Sequence, residues 1–342
     1  MERPLDAARA RQRLLLMLAL GGLAGLLLGL MAGSEGLSWA SLRSDATGPQ
    51  AAVLIGEIRA PRTLGAALVG ALLGLGGALA QGVFRNPLAD PYLLGSAAGA
   101  SLGVVMVLAL GAGLGGLAGA EGWLPGLQRL GVVGAAFLGA LAGVGLTLLL
   151  SRGAQQTLRL LLAGIVVGVL LTAVNELLTT LSLDALRGRQ QFLLGSTALL
   201  GWGAVGWMAA GLAIALPLAL RASRVLDALT LGEDSAASLG LNLARWRLGL
   251  LALMALCTGL AVAHAGLIAF VGLVAPHVVR RLAPSAHGFL LVASAATGAV
   301  LLLIADVLAR ALMAPQELPV GLITAVLGGL YLVWLLQSQE RR

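Results

Sequence analysis

The sequence predicts an all-α polytopic membrane protein of about ten transmembrane helices with both termini in the cytoplasm. Hydrophobic residues make up 59% of the 342, and mean hydropathy is +0.96, well above the ~45–50% apolar usage of soluble domains. Charged residues are only 11%, against ~25% normally, too few to cover a water-soluble fold. Ten apolar windows approach the ~20 residues that a spanning helix needs. They run over 14–33, 64–84, 92–112, 127–150, 158–182, 199–220, 246–264, 266–280, 288–309 and 318–337. A β-barrel is excluded, because the windows lack period-two alternation and exceed the ~10 residues of a barrel strand. Residues 1–342 are read as one transmembrane domain.

Taken in order, the first window continues into further spans and is an anchor helix rather than a cleaved leader. The second is preceded by Arg59-Ala-Pro-Arg62. Pro61 suits a helix start there, since its missing N–H would be unpaired anyway. Arg59 and Arg62 lie on the outer side, against the charge trend described below, either as interfacial anchors or as a patch for an acidic partner. The run from Arg85 to Gly95 holds two prolines four apart and must be a non-helical cytoplasmic connection before the third window. In the fifth window Gly164, Gly168, Thr172, Asn175 and Thr179 recur at helical spacing. They form a small polar stripe, either a packing seam or the wall of a polar pathway; Asn175 favours the pathway.

Between the sixth and seventh windows lies the longest inside loop, Arg221 to Arg247. Within it Gly232, Glu233, Asp234, Ser235, Ala236, Ala237, Ser238, Leu239 and Gly240 predict a short helix. The two acids suit its N-terminal dipole, and Gly240 suits its stop. Leu231, Leu239 and Leu241 give it an apolar side, so the segment at about 227–242 is either a surface for another protein, the favoured reading, or an interfacial helix resting on lipid. The eighth window is short, bounded by Gly266 and Pro276. The ninth contains Asp306 and Arg310, i,i+4 neighbours able to pair locally. Pro315 and Pro319, flanking Glu317, break the chain before the tenth.

All 22 basic residues are arginine, and with the N-terminus inside fifteen fall on the cytoplasmic side and seven outside. The positive-inside rule therefore places both termini in the cytoplasm, Arg341 and Arg342 included. The net charge of +7 is topological and is no sign of nucleic-acid binding. Lysine is absent, so no Walker A loop exists and ATP hydrolysis needs another chain. His264, His277 and His287 are too far apart for a H-E-x-x-H pair. Glu176 and Asp306, the only acids in the windows, lie ~25 Å along their helices from the cytoplasmic end. That is too near the outer interface for an ion-coupled carrier, which remains the competing class. Cys257 alone builds neither a disulfide nor a metal site.

The segments RAPRTLGAALVGALLGLGGALAQGVFRNPLADPYLLG, LGEDSAASLGLN, GLIAFVGLVAPHVVRRL and ADVLAR…PQELPVGLITAVLGG resemble the FecCD-type permeases. These are membrane subunits of importers for iron–siderophore complexes, haem and cobalamin, and the resemblance spans residues 55–337. It implies a type II ABC importer permease fold in the bacterial inner membrane. It also implies a second permease subunit, two cytoplasmic subunits that bind ATP and Mg, and a periplasmic substrate-binding protein. No cofactor is expected on this chain. Arg59, Arg62 and Arg310 fall where the family docks its binding protein, and residues 232–240 fall on the helix coupled to the ATPase. Asn86 and Leu88 match one cytoplasmic gate, and Thr157 and Leu158 match the second. The helix of Asn175 matches the path-lining helix. Leu158 departs from the hydroxyl residue of the cobalamin permease, which slightly weakens a corrinoid assignment; an iron chelate or haem is expected on the breadth of the family and not on any single residue.

Overall fold

The computed structural model describes residues 4–33, 36–37, 53–114, 124–152 and 157–339. Arg3, Arg43, Arg341 and Arg342, which enter the orientation argument, lie outside the described residues. The described helices are α1 (Pro4–Met31), α2 (Ala60–Phe84), α3 (Ser96–Leu114), α4 (Leu124–Leu150), α5 (Thr157–Leu181), α6 (Leu183–Leu194) and α7 (Trp202–Arg221). They continue with α8 (Ser223–Thr230), α9 (Glu233–Ser238), α10 (Leu243–Ala265), α11 (Val271–Leu282), α12 (His287–Ala311) and α13 (Val320–Gln339). Two-residue strands, β1 (Ala32–Gly33) and β2 (Gly36–Leu37), pair antiparallel after α1.

Eight of these helices are long and apolar enough to cross a membrane. The other two windows became α3 and the 12-residue α11, which covers only ~18 Å. Two-thirds of its window is helix, and Gly266–Phe270 form a non-helical lead-in. Such backbone survives at membrane depth only if its polar groups find protein partners. Here the Leu267 N–H donates to the Phe192 carbonyl at 2.8 Å, and the Ser196 N–H to the Ala265 carbonyl at 2.8 Å. The Tyr92 hydroxyl reaches the Ile268 carbonyl at 3.3 Å, and the Gln81 amide reaches the Leu273 carbonyl at 3.1 Å.

The bundle is built around α2. With its lead-in it forms one helix of 31 residues, 83% of whose apolar window is buried, ~46 Å long. Close approach depends on glycine. A Cβ at Gly70 would collide with the Gly298 carbonyl of α12, and one at Gly77 with the Gly272 carbonyl of α11. Small residues let backbones meet where lipid offers no hydrophobic drive between helices. The structure also moves the start of this helix. Pro61 does not open it; residues Leu54–Arg59 form a π-helical turn, and the Ala60 N–H donates to the Ile55 carbonyl five residues back. The widened turn accommodates a proline ring that clashes with the carbonyl four residues earlier in an α-helix.

Candidate functional site

The termini of the membrane helices bring predicted residues together in two clusters, one at each end of α2. At the outer end Asp306, completely buried on α12, is shared by two arginines. Arg62 of α2 donates from Nε to its Oδ1 at 3.2 Å, and Arg310, one turn along α12, pairs with its Oδ2. Thr197 donates its hydroxyl to the same Oδ1 at 2.5 Å. Arg62 Nη1 also grips Glu317 before α13, at 3.0 and 2.8 Å. Arg310 reaches the carbonyls of Gly29 and Ala32 at the end of α1, at 2.8 and 3.1 Å. Arg59 donates to the Leu30 carbonyl at 3.3 Å.

The three arginines of the docking set are therefore neighbours, but only 6%, 8% and 2% exposed for Arg59, Arg62 and Arg310. Arg310 is not presented outward; its guanidinium is consumed by Asp306 and two carbonyls. The local Asp306–Arg310 pair that the spacing allows is present, and Arg62 joins it. Thr197 left no signal in the sequence, because its partner is 109 residues away. Glu317 was visible only as an acid between two prolines.

At the inner end the predicted short helix is α9, running Glu233–Ser238. Gly232 enters it at φ +106° and Gly240 leaves at φ +77°, conformations that glycine adopts without steric cost. Glu233 Oε1 receives three bonds: Arg247 of α10 at 2.7 Å, Arg85 at 3.2 Å and Thr157 of α5 at 3.3 Å. The Arg247 bond is the first cause holding its carboxyl below the ordinary glutamate range. Ala236 is buried, whereas Asp234, Ser235, Ala237, Ser238, Leu239 and Gly240 are exposed, as is Leu231. Just above, Asp227 of α8 accepts from the backbone N–H of His287 at 3.0 Å and lies 2.7 Å from its ring Nδ1, which pins α8 to α12.

The two predicted gate segments flank this cluster. After α2, Arg85 turns at φ +50°, and Asn86 Oδ1 accepts from the Leu88 N–H at 2.9 Å, a side-chain-closed turn. Leu88 and Leu158 are 51% and 70% exposed. The signal missed was Arg247, which entered the sequence argument only as a cytoplasmic charge.

The stripe on α5 divides. Gly164 fits against the Leu93 carbonyl, and a Cβ there would collide with it. Asn175 donates to the Ala98 carbonyl of α3 at 3.3 Å, and Thr179 is buried beside it in sequence register. Those positions form a packing seam within the subunit. Thr172 is exposed, on a face shared with Ile165 and Val169, and Gly168 is half-buried with open space before it.

The FecCD transport family model matches residues 19–338. The hemin transport system permease protein HmuU of Yersinia pestis is 41% identical over 84% of this chain and 84% of its own length. The vitamin B12 import system permease protein BtuC of Salmonella typhimurium is 39% identical over 97% of each. A solved structure described as an inward-facing conformation of a metal-chelate type ABC transporter superposes with a TM-score of 0.83. It is 28% identical and covers 96% of this chain and 99% of its own. Ten apolar segments in this order, with an exposed short helix tied to Arg85 after α2 and Thr157 at the start of α5, have the same explanation as these matches: the chain belongs to the FecCD transport family.

Proposed function

We propose that the chain is the membrane-spanning permease subunit of an ATP-driven importer that moves a metal chelate, a ferric siderophore or haem, from periplasm to cytoplasm. It works as a homodimer in the bacterial inner membrane, with two cytoplasmic subunits that bind ATP and Mg, and a periplasmic binding protein. The observation that carries this reading is α9: a helix standing off the bundle at the cytoplasmic end, with Leu231, Ala237 and Leu239 turned to water. Exposed apolar side chains on a charged cytosolic segment mark a protein contact. The corrinoid is the second reading, supported by the likeness to a vitamin B12 permease along nearly the whole chain and opposed by Leu158.

The chain itself performs no bond chemistry. Its exposed α5 face, with Thr172, lines a passage completed by the partner copy. That passage is mostly apolar and binds weakly, since a tight site would hold the cargo between strokes. ATP binding and hydrolysis below move α9, and the gates at Asn86–Leu88 and Thr157–Leu158 open or close in response. Arg59 and Arg62, nearly buried, exchange internal partners such as Glu317 for the carboxylates of an acidic binding protein arriving from outside.

The test is reconstitution in proteoliposomes. The permease alone should hydrolyse no ATP, and the complex should take up chelate only with ATP, with or without an uncoupler. Ala237→Asp, which places a charge on the contact face of α9, should lower uptake more than tenfold. ATP turnover by the single chain, or uptake driven by an ion gradient without an ATPase, would overturn the reading.

A further inference from the structure

Three segments far apart in the chain meet at one carboxylate. Arg85 ends α2 and immediately precedes the gate residues Asn86 and Leu88. Thr157 begins α5 and adjoins Leu158. Arg247, 2% exposed, stands in the second turn of the 23-residue α10. All three bond the same oxygen, Glu233 Oε1. Arg247 Nη2 also comes within 3.4 Å of the Thr157 hydroxyl, so the donors touch one another as well.

Glu233 is the first residue of α9, and α9 has little else to hold it. Among its six residues only Ala236 is buried. On either side Gly232 and Gly240 occupy positive-φ conformations, and a Cβ at either would meet open space. A six-residue helix between two glycine corners moves as a small rigid body, and its bonded end is the end nearest both gates. Charge-assisted hydrogen bonds are short and directional, so they transmit a displacement of the carboxylate or break.

We propose that Glu233 is the positioning residue through which movement of α9 reaches both gates, one arm through Arg85 to Leu88 and the other through Thr157 to Leu158, with Arg247 as the fixed post. This rests on the importer reading above. The geometry makes a factorial prediction that a merely structural role for Glu233 does not. Removing the Arg85 arm should disconnect only the first gate, removing the Thr157 arm only the second, and removing the carboxylate both.

The experiment uses the full complex in proteoliposomes, in a Cys257→Ser background, with a single cysteine at Leu88 or at Leu158. The rate of modification by a water-soluble maleimide is measured with and without a non-hydrolysable ATP analogue. Arg85→Gln should reduce the nucleotide-dependent change at least fivefold at Leu88 and leave it at Leu158. Thr157→Val should do the reverse, and Glu233→Gln should reduce both. If Glu233→Gln prevents assembly with the ATPase, the two arm variants, which lie outside α9, still decide the matter. Equal changes at both gates in Arg85→Gln and in Thr157→Val, or undiminished changes in all three variants, would overturn the proposal. A parent complex that binds no ATPase and hydrolyses no ATP would instead overturn the importer reading beneath it.

Discussion

The two ends of α2 carry the same chemical device in different solvents. Outside, Asp306 sits between Arg62 and Arg310; inside, Glu233 sits between Arg85 and Arg247. Each adds a threonine hydroxyl, from Thr197 and Thr157 respectively. Asp306 is 0% exposed, whereas the Glu233 side chain is 35% exposed. The outer cluster joins two long helices, α2 and α12, whose backbones meet at Gly70 and Gly298, while the inner one ends on a short helix between glycine corners. Coulomb attraction grows as water is excluded, and so does the cost of losing one partner. The outer cluster is an anchor and the inner one a joint.

The sharpest way to break that comparison is to remove the outer carboxylate. Asp306→Ala leaves two arginine side chains buried without their shared acid. It should destabilise the protein by about 3–5 kcal/mol, the usual penalty for breaking a buried pair, read as thermal unfolding in detergent. A loss no larger than ~1 kcal/mol, typical of exposed pairs, would make the two ends energetically alike.

A smaller effect is expected at Glu317, whose side chain is 33% exposed where it grips Arg62. Glu317→Gln should cost no more than ~1 kcal/mol of stability. It should also tighten binding of the periplasmic protein several-fold at low salt, because Arg62 is released for an incoming carboxylate. That gain should fade as salt screens charges over ~8–10 Å. This substitution isolates docking better than reversing Arg59 and Arg62, since a glutamate at 62 would face the buried Asp306. Unchanged affinity at low salt would remove Arg62 from the docking surface.

The smallest effect concerns pH at the joint. The folded-state pKa of Glu233 lies below its ordinary 4.5, chiefly because Arg247 bonds the ionised form. The contribution of such a carboxylate is fully present above its unfolded pKa and is lost as pH falls through the folded one. Gate response to nucleotide should therefore be flat from roughly pH 8 to pH 5, above the usual carboxylate range. A response that titrates between those values would shift the joint to another group.

Much of the architecture was legible because lipid imposes few solutions. A run of apolar residues must become a helix, so the ten windows, the proline-bound connection at 85–95 and the helix opened by Glu233 could be located one by one. The eighth window was short in the sequence, and its first third is non-helical in the structure. The donors that permit this, Gln81 and Tyr92, act across the fold and could not be assigned locally. The stripe on α5 was legible as a stripe but not in its direction. Helical spacing says that Gly164, Asn175 and Thr179 share a face; it does not say that α3 and the chain leading into it occupy the space before it.

By itself the sequence determined the membrane class, the orientation, the family and the positions of the segments that matter, because these follow from local hydropathy, charge and ordered motifs. The tertiary structure decided which charges meet. Arg62 and Asp306 lie 244 residues apart, and Arg85 and Glu233 lie 148 apart. Buried charge must be neutralised by whatever partner the packing brings within hydrogen-bond reach. The packing of α12 on α2 sets the first distance and the placement of α9 below α2 the second, and no spacing along the chain encodes either.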